Sequence, residues 1–484
     1  MKAKLNVPIR RLLILLPFFL TGCSLAPPYL RPAVETPASY KEAGPWKTAA
    51  SSVQHPEKWW QAFADPVLDD LEEHLNIDNQ NIKLAEAQYR AARAGLDSAR
   101  AGLFPTLGVN ASGARGATNS STATNATTAT TATTTQTPVT NLYTLSAQAS
   151  WEIDLWGQVR SGVDAAGAKL AASEGALGAA RLSAQALLAQ SYFLMRSAEA
   201  QEALLHKNVA AYQRFLALTQ NRQKVGVASS LDVAQAETQL NTTRTQLADA
   251  QLQRAQTEHA IATLIGKPAT AVSIAREPVL APVPQTPTLI PSLILEGRYD
   301  IYSAERLVAA ANAQIGVARA AYFPAINLSA DGGFRSAQLA SLITTPARFW
   351  SLGPALALTV FDGGARSAAV SQAEAIYDQA VATYRQTVLT AFQEVEDNLI
   401  AMRLLADETR SQQAALAAAR KAREVAENQY RAGTVASLNV ITAQTSELAV
   451  ENTTITIWNR NMAAAVQLYK NINGRLLDAN SAER

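Results

Sequence analysis

The sequence contains one half-protein twice. The segment KVGVASSLDV at 224–233 returns as RAGTVASLNV at 431–440, so that each matched position lies 207 residues downstream. The segment ARAGLFP at 99–105 also returns, as ARAAYFP at 318–324. Solenoid repeats are roughly 20–50 residues long, so this repeat is too long to be one. It predicts a duplicated half-protein, and therefore a ring or tube with internal pseudo-symmetry.

The first residues predict a lipoprotein signal peptide at 1–22. A basic stretch precedes the apolar segment 12–20, which is shorter than the roughly 17–25 residues of a membrane-spanning helix. The residues LTGC at 20–23 then resemble the bacterial lipobox, in which the cysteine is acylated. Cys23 is the only cysteine, so acylation would leave neither a free thiol nor a disulfide. Ser24 replaces the Asp that would favour inner-membrane retention, which predicts a lipid anchor in the outer membrane.

Composition and motifs argue against several classes of function. The net charge of +2 does not favour nucleic acid as a partner. The four histidines are scattered without metal-ligand spacing, and the sequence has neither a nucleophile elbow nor a phosphate-binding loop. An acidic run at 65–73 is expected to be the solvated start of a helix. We therefore expect no catalytic residue, no metal and no cofactor.

Proline is absent from 139–267 and from 355–484, and six prolines cluster between 268 and 291. Because proline costs roughly 3 kcal/mol inside a helix, the proline-free regions can hold long helices. Glycine turns at Gly226 and Gly433 would fold each region into a helical hairpin, the first helix being roughly 100 Å long. Apolar residues recur every seven positions along 381–402 and 441–469. This period predicts left-handed supercoiled packing. Ser230-Leu231-Asp232 and Ser437-Leu438-Asn439 are expected to cap the returning helices.

Short segments between the helices alternate apolar and polar residues, which is typical of membrane β-strands. The clearest runs from Tyr143 to Asp154, and weaker ones lie at 107–112, 326–331 and 350–360. Trp151 and Trp350 suit aromatic girdle positions, and Pro354 is expected to mark a bulge. The Thr-rich tract 116–140 has almost no apolar anchor, which predicts a long extracellular loop.

Four strands per chain predict an oligomer. Membrane barrels have at least eight strands, and hydrocarbon does not tolerate an open sheet edge. Two chains would give a closed barrel filled with side chains, whereas three would give twelve strands and room for a lumen.

These patterns predict the following organisation, which the repeat and the proline distribution support. The predicted regions are a signal peptide at 1–22, an N-terminal segment at 23–75, a first repeat at 76–267 (strand pair about 106–154, hairpin about 157–265), a Pro-rich linker at 268–297, a second repeat at 298–473 (strand pair about 325–361, hairpin about 363–471), and a C-terminal tail at 474–484.

The lipobox, the Phe-Pro pair before each strand pair, and the duplicated Gly-x-x-x-Ser-Leu-Asp/Asn-Val turns together resemble one family. It is the outer membrane factors of tripartite export systems, the TolC-like proteins, and within them the OprM-like (NodT-type) lipoproteins. The resemblance covers the chain from Cys23 to about Leu477. It implies an α+β homotrimer with a shared twelve-stranded barrel, a coiled-coil helical tunnel through the periplasm and a mixed equatorial domain. It also implies two partners, a periplasmic adaptor and an inner-membrane transporter of the RND type.

The resemblance further implies roles for the hairpin tips. Residues matching the adaptor-docking tips are Gly226, Ser230, Leu231, Gly433, Ser437 and Leu438. Residues at the family's periplasmic gate are Asp232, Tyr430, Val435, Asn439 and Thr442. A hydrogen bond from the Tyr430 hydroxyl to the Asp232 carboxylate is the expected latch. Val435 replaces the family's Arg, and Asn439 and Thr442 replace acidic residues, which implies a less acidic and less tightly latched entrance.

The resemblance implies that the chain is a passive duct for the efflux of small toxic molecules. Two other functions remain open from the sequence. One is a duct for type I protein secretion in place of small-molecule efflux. The other is a lipid-anchored coiled-coil scaffold without a pore.

Overall fold

A computed structural model describes residues 25–34, 41, 58–117, 139–284 and 297–472. The predicted signal peptide, Cys23, most of the Thr-rich tract, part of the Pro-rich linker and the predicted C-terminal tail lie outside the described residues.

The chain divides into two compact units. The sheet unit consists of Met1–Arg31, Ala91–Leu170 and Arg306–Val381. The helical unit consists of Pro32–Arg90, Ala171–Glu305 and Ala382–Arg484.

Each repeat contains one single helix, two strands and a helical hairpin. The first repeat comprises α2 (Gln80–Ala101), β1 (Thr106–Ala117), β2 (Val139–Glu152), α3 (Gln158–Lys224) and α4 (Ser230–Leu264), preceded by α1 (Pro66–Asp78). The second comprises α5 (Tyr299–Ala320), β3 (Ala325–Ser336), β4 (Arg348–Ala357), α6 (Ala365–Arg431) and α7 (Ser437–Ile472). None of the helices within the described ranges combines the length and apolar character needed to cross a membrane.

The two repeats match element by element, with one change of offset. Helices α2 and α5 have 22 residues each and begin at 80 and 299, an offset of 219. Helices α3 and α6 have 67 residues each and begin at 158 and 365, an offset of 207. The change falls within the strand pairs, where 118–138 joins the first pair and the shorter 337–347 joins the second. The difference in loop length therefore explains why one offset does not fit the whole chain.

The four strands form one antiparallel sheet in the order β1-β2-β3-β4. The register between β3 and β4 runs without interruption from Ala325 opposite Ala357 to Phe334 opposite Arg348. The bulge expected at Pro354 is therefore wrong. Pro354 is tolerated because β4 is an edge strand of the sheet in this chain, where a missing donor need not interrupt a ladder.

A buried apolar core cluster of the helical unit contains several aromatic side chains. Trp59 stacks on Tyr469 with ring centroids 6.1 Å apart, and Phe63 contacts Phe193 at 4.9 Å. Met462 and Tyr469 of the seven-residue stripe of α7 belong to this core. Leu448 lies in a second buried cluster, and Ile455 is buried as well. The matching positions of α4 are mostly small and, except for Ala255 and Ala262, exposed. The two hairpins therefore share a plan but bury different faces.

The acidic run at 65–73 is only partly solvated. Asp65 caps α1 by accepting hydrogen bonds from the backbone N–H groups of Val67 and Leu68 at 3.0 and 3.2 Å. Glu72 is fully buried, and neither of its carboxyl oxygens has a hydrogen-bond partner among the described residues. Burial, reinforced by the charge of Asp69, raises the pKa of Glu72 well above its usual range. The expectation of a solvated helix start is therefore wrong at Glu72, which is buried.

Candidate functional site

The two hairpin tips reverse the chain in the same way. Gly226 and Gly433 have φ angles of +76° and +77°, which glycine adopts at little cost. The N–H of Gly226 donates to the Gln223 carbonyl at 2.9 Å, and the N–H of Val227 donates to the Arg222 carbonyl at 2.8 Å. The second tip repeats both bonds, which is the pattern of a Schellman motif. Both turns are therefore fixed by local backbone geometry.

Apolar side chains project into solvent around these turns. Leu231 is 64% exposed and Leu438 is 53% exposed, and Val225 and Val227 beside the first turn are exposed as well. Scattered exposed apolar residues are ordinary, but a cluster at the end of a hairpin is suited to contact with a partner. The docking role that the sequence predicted for the tips stays a prediction.

The two returning helices begin differently. Ser229 is the N-cap of α4, and it forms a capping box with Asp232: each side chain accepts from the other residue's backbone N–H. Ser230 is the first helical residue, so the expected cap at Ser230 is wrong by one position. The corresponding position of the second repeat is Ala436, which has no capping side chain, and Ser437 is the first residue of α7. The second hairpin thus lacks the local cap that the first possesses.

Asp232 joins the two hairpins. One carboxyl oxygen accepts hydrogen bonds from the Ser229 backbone N–H and hydroxyl, both at 2.8 Å. The other oxygen accepts a hydrogen bond from the hydroxyl of Ser437, which is buried. These bonds, that from Ser437 first and those from Ser229 next, lower the pKa of Asp232 below its usual value. One carboxylate therefore stabilises the start of α4 and holds α7 beside it.

Tyr430 does not make the expected latch. Its ring packs against Phe215 with centroids 5.5 Å apart, and the Arg222 guanidinium lies 4.4 Å above its centroid. Arg222 also donates to the Tyr430 carbonyl at 3.2 Å. Among the described residues no hydrogen bond joins the Tyr430 hydroxyl to Asp232. The predicted bond within one chain is therefore replaced by the bond from Ser437, because Tyr430 is turned into the hairpin and buried there.

The other predicted gate residues are placed around the same tips. Asn439 and Thr442 are exposed on α7, and the Thr442 hydroxyl donates to the Leu438 carbonyl at 2.8 Å. Val435 is half-buried in the second turn. Their predicted role at an aperture stays a prediction.

Sequence reasoning missed a polar cleft of about 390 Å³ behind the second tip. Arg423 bridges Glu427, at 3.1 Å, and Glu447. The Gln444 amide donates to Glu427 at 3.1 Å, while its own buried side-chain oxygen has no hydrogen-bond partner in the part of the chain that the structure describes. The Arg423–Glu427 pair is a helical i,i+4 pair and is visible in the sequence. Glu447 and Gln444 join them only because α7 folds back on α6.

The sheet has one polar and one apolar face. Opposite residues in the register share a face, so Gln148, Asp331 and Ser351 lie in one row across three strands. The other polar-face residues include Asn110, Ser112, Thr144, Ser146, Ser150, Glu152, Asn327, Ser329 and Arg335. The apolar face carries Leu107, Val109, Leu145, Trp151, Ile326, Leu328, Phe334, Trp350, Leu352 and Leu356. Such a sheet can separate water from hydrocarbon.

The part of the chain that the structure describes contains no group of three or more acidic, His or Cys side chains positioned to hold a metal ion.

Comparison with known proteins identifies the family to which this architecture belongs. The outer membrane efflux protein family model matches residues 73–267 and 290–474. The chain belongs to the outer membrane efflux protein family. The family resemblance seen in the sequence is thereby confirmed, as are efflux as the function and the outer membrane as the location.

Individual relatives agree along nearly the whole chain. The "Probable efflux pump outer membrane protein TtgC" of Pseudomonas putida is 30% identical over 461 residues, covering 94% of this chain and 93% of its own length. "Outer membrane protein OprJ" of Pseudomonas aeruginosa is 31% identical over 469 residues, covering 95% of each.

Solved structures support the fold as well. The outer-membrane channel OprN is 28% identical and superposes with a TM-score of 0.86, covering 93% of this chain and 99% of its own. The open state of the Neisseria gonorrhoeae MtrE outer membrane channel is 27% identical with a TM-score of 0.81, covering 93% and 98%. The predicted TolC-like fold is therefore confirmed, and a scaffold without a pore does not fit this family.

The link between the hairpins gives a testable prediction for the efflux protein. Asp232→Ala and Ser437→Ala each remove the bond between the hairpins, so both are expected to raise single-channel conductance in planar bilayers. Tyr430→Phe is the matched control, since the Tyr430 hydroxyl takes no part in that bond. If Tyr430→Phe raised the conductance and Ser437→Ala did not, the latch would be the bond between Tyr430 and Asp232 and not the bond between Ser437 and Asp232.

The same link predicts a pH dependence. Because the folded-state pKa of Asp232 is lowered, its contribution is complete above the unfolded value, about 4, and is lost as the pH falls through the folded value. Conductance of the wild-type channel should therefore rise below about pH 4, and that rise should be absent in Asp232→Ala.

Proposed function

We propose that this chain forms a passive homotrimeric duct that exports small molecules through the outer membrane as the outermost part of a tripartite efflux pump. The observation that carries the proposal is the two-faced, four-stranded sheet with an open edge on each side. Each open edge would leave unpaired backbone groups in hydrocarbon, where each costs several kcal/mol. Pairing β4 of one chain with β1 of the next removes every such edge.

The number of chains follows from the interior. Three chains give twelve strands and an aqueous lumen lined by the polar face, whereas two give a barrel of eight strands filled with side chains. The resemblance also implies a helical tunnel in the periplasm, formed by the hairpins of the three chains. It further implies an equatorial belt built from the N-terminal segment, the Pro-rich linker and the C-terminus, and much of these segments lies outside the described residues.

The duct needs partners that supply energy. The exposed tip residues, Leu231 and Leu438 foremost, support docking of a periplasmic adaptor. The adaptor in turn would couple the duct to an inner-membrane transporter of the RND type. The family relatives include efflux proteins for toluene and for antibiotics, which supports small toxic molecules as the cargo.

The function is tested by assembly and transport together. The purified protein should run as a heat-resistant trimer with a β signal in circular dichroism. A deletion strain should become sensitive to toxic compounds and be rescued by the wild-type chain. A monomer with only helical signal, or a deletion that changes no susceptibility while its adaptor and pump are expressed, would contradict the proposal.

The lipid anchor gives a separate prediction. Cys23 lies outside the described residues, and its acylation is proposed from the lipobox alone. Wild-type protein should incorporate labelled palmitate, and Cys23→Ala should incorporate none. Ser24→Ala is the matched control and should be labelled normally. Labelling that persists in Cys23→Ala would rule out this anchor.

A further inference from the structure

Two arginines lie on the apolar face of the sheet at its loop end. The loop end is the end of the sheet at which β1 and β3 finish and β2 and β4 begin. Arg115 lies in the row of Leu107, Val109, Ala111 and Gly113 on β1. Arg348 is opposite Phe334, which is itself opposite Leu145, so it also belongs to the apolar face. A charged residue on such a face is costly in the middle of a membrane, by about 2–4 kcal/mol, and costs little at the interface.

Each arginine lies far along its own strand from the leucine at the other end of the apolar face. Eight residues separate Leu107 from Arg115 on β1, and eight separate Leu356 from Arg348 on β4. At about 3.3 Å per residue this is about 26 Å along the strand, or about 20 Å along the membrane normal for strands tilted by about 40°. Outer-membrane barrels have an apolar band about 25 Å tall. The two guanidinium groups therefore reach the outer headgroup level, helped by their long stems.

Neither guanidinium is neutralised. Arg115 and Arg348 are exposed, and among the described residues neither makes an ion pair, side-chain hydrogen bond or ring contact. From 115 to 151 and from 332 to 361, the only charged residues are Arg115, Arg335 and Arg348. The loop end of the sheet is therefore cationic, with no carboxylate to compensate it. Arg335 differs from the other two because it is on the polar face, 4.6 Å above the Phe349 ring.

The two arginines stand on the two edge strands. When β4 of one chain pairs with β1 of the next, Arg348 of the first and Arg115 of the second flank one subunit boundary. Each boundary then offers two guanidinium groups to one ligand, and guanidinium groups bind phosphate with paired hydrogen bonds.

We propose that Arg115 and Arg348 bind the phosphate groups of lipopolysaccharide in the outer leaflet, one site at each subunit boundary. The proposal rests on the proposed trimeric membrane duct. Lipopolysaccharide is the occupant because the charges lie at the loop end, on the lipid-facing side, where the headgroups are phosphorylated glycolipids. Bound lipopolysaccharide would stabilise the boundaries between subunits from the lipid-facing side.

The test uses purified full-length trimer in detergent and measures the temperature at which the trimer dissociates as lipopolysaccharide is added. The variants are wild type, the double variant Arg115→Gln/Arg348→Gln, and the control Arg335→Gln, which removes an arginine at the same end but on the other face. Lipopolysaccharide should raise the dissociation temperature of wild type and control. In the double variant the half-maximal concentration should increase at least about tenfold, equal to about 1.4 kcal/mol.

Two further probes identify the headgroup. Lipopolysaccharide stripped of its lipid A phosphates should not stabilise the wild type, and phosphatidylglycerol should be much weaker than intact lipopolysaccharide. Equal stabilisation by the stripped lipid, equal stabilisation by phosphatidylglycerol, or a double variant that titrates like wild type would each overturn the proposal. If the double variant dissociates too easily to titrate, the amount of lipopolysaccharide phosphate that co-purifies with the protein is measured in place of the dissociation temperature. An amount equal to that of the wild type would overturn the proposal.

The outcome separates this inference from the function on which it rests. A wild-type chain that forms no trimer contradicts the proposed duct. A wild-type trimer that conducts ions but whose dissociation temperature does not change with lipopolysaccharide contradicts only the lipid site. The double variant should keep its conductance within about twofold, because neither arginine faces the lumen.

Discussion

Glu199→Ala is expected to destabilise the helical unit by about 3–5 kcal/mol, the usual effect of breaking a buried ion pair. The Glu199 side chain is only 2% exposed. Its carboxylate accepts hydrogen bonds from Arg196 Nη1 at 2.8 Å and Arg254 Nε at 3.2 Å. It also accepts one from the backbone N–H of Glu277 at 3.0 Å. Alanine at this position would leave two buried guanidinium groups with one anion fewer.

The loss would extend beyond the pair, because the same arginines hold the segment that leaves the first hairpin. Arg196 donates to the Ala275 carbonyl and Arg254 to the Ile274 carbonyl, both at 2.8 Å. Freed from Glu199, these side chains can turn toward water and release the segment. We therefore expect local unfolding around 272–277 as well as lower global stability.

The measurement is the denaturant midpoint of the helical circular dichroism signal, together with protease cleavage after Arg276. Glu199→Gln keeps the volume and part of the acceptor capacity, so it should fall between wild type and alanine. Glu237→Ala is the matched control, since Glu237 is exposed on α4 and should cost no more than about 0.5 kcal/mol. Equal midpoints for Glu199→Ala and Glu237→Ala would show that the network contributes nothing.

Gly266→Ala is expected to cost more than about 3 kcal/mol, although it adds one methyl group. Gly266 ends α4 with a φ angle of +70°, which costs a residue with a side chain about 1–2 kcal/mol. A Cβ there would also lie 2.3 Å from the Asp78 carbonyl oxygen at the end of α1. That oxygen is backbone and cannot swing aside. The Asn79 amide, which donates to the Leu264 carbonyl at 2.6 Å, pins the two helix ends together.

Gly226→Ala measures the loss of stability that comes from the positive φ angle alone, without a steric clash. Gly226 has a φ angle of +76° and the same pair of turn hydrogen bonds, but its Cβ would meet nothing within 4 Å. Its cost should therefore be limited to about 1–2 kcal/mol. Denaturant midpoints of the two variants should differ by the clash alone. If both variants lose the same stability, the close approach of Asp78 is not a constraint.

Much of the fold could be predicted from the sequence because its determinants are local. The proline-free regions allowed the four long hairpin helices, and Gly226 and Gly433 marked their turns. The alternation from Tyr143 onward predicted β2, because residues two apart share a face of a strand. The repeat then supplied the second copy of each element.

The candidate site was predicted less completely, because its contacts join residues far apart in the chain. Asp232 was identified as a tip residue, but its partner proved to be Ser437 and not Tyr430. Local sequence could not distinguish these two partners, since the choice depends on how α7 packs beside α4. The burial of Tyr430 against Phe215 decided it.

The sequence by itself determined the duplication, the turns and the two-faced strands, since each depends on residues within a few positions of one another. Only the tertiary structure decided which positions are buried. It buried Glu72, with no hydrogen-bond partner for its carboxyl group among the described residues. It also put Pro354 on an edge strand and brought Arg115 and Arg348 to opposite edges of one apolar face. The physical reason is that burial, strand order and register are set by contacts between distant segments, and these contacts exist only after the chain has folded.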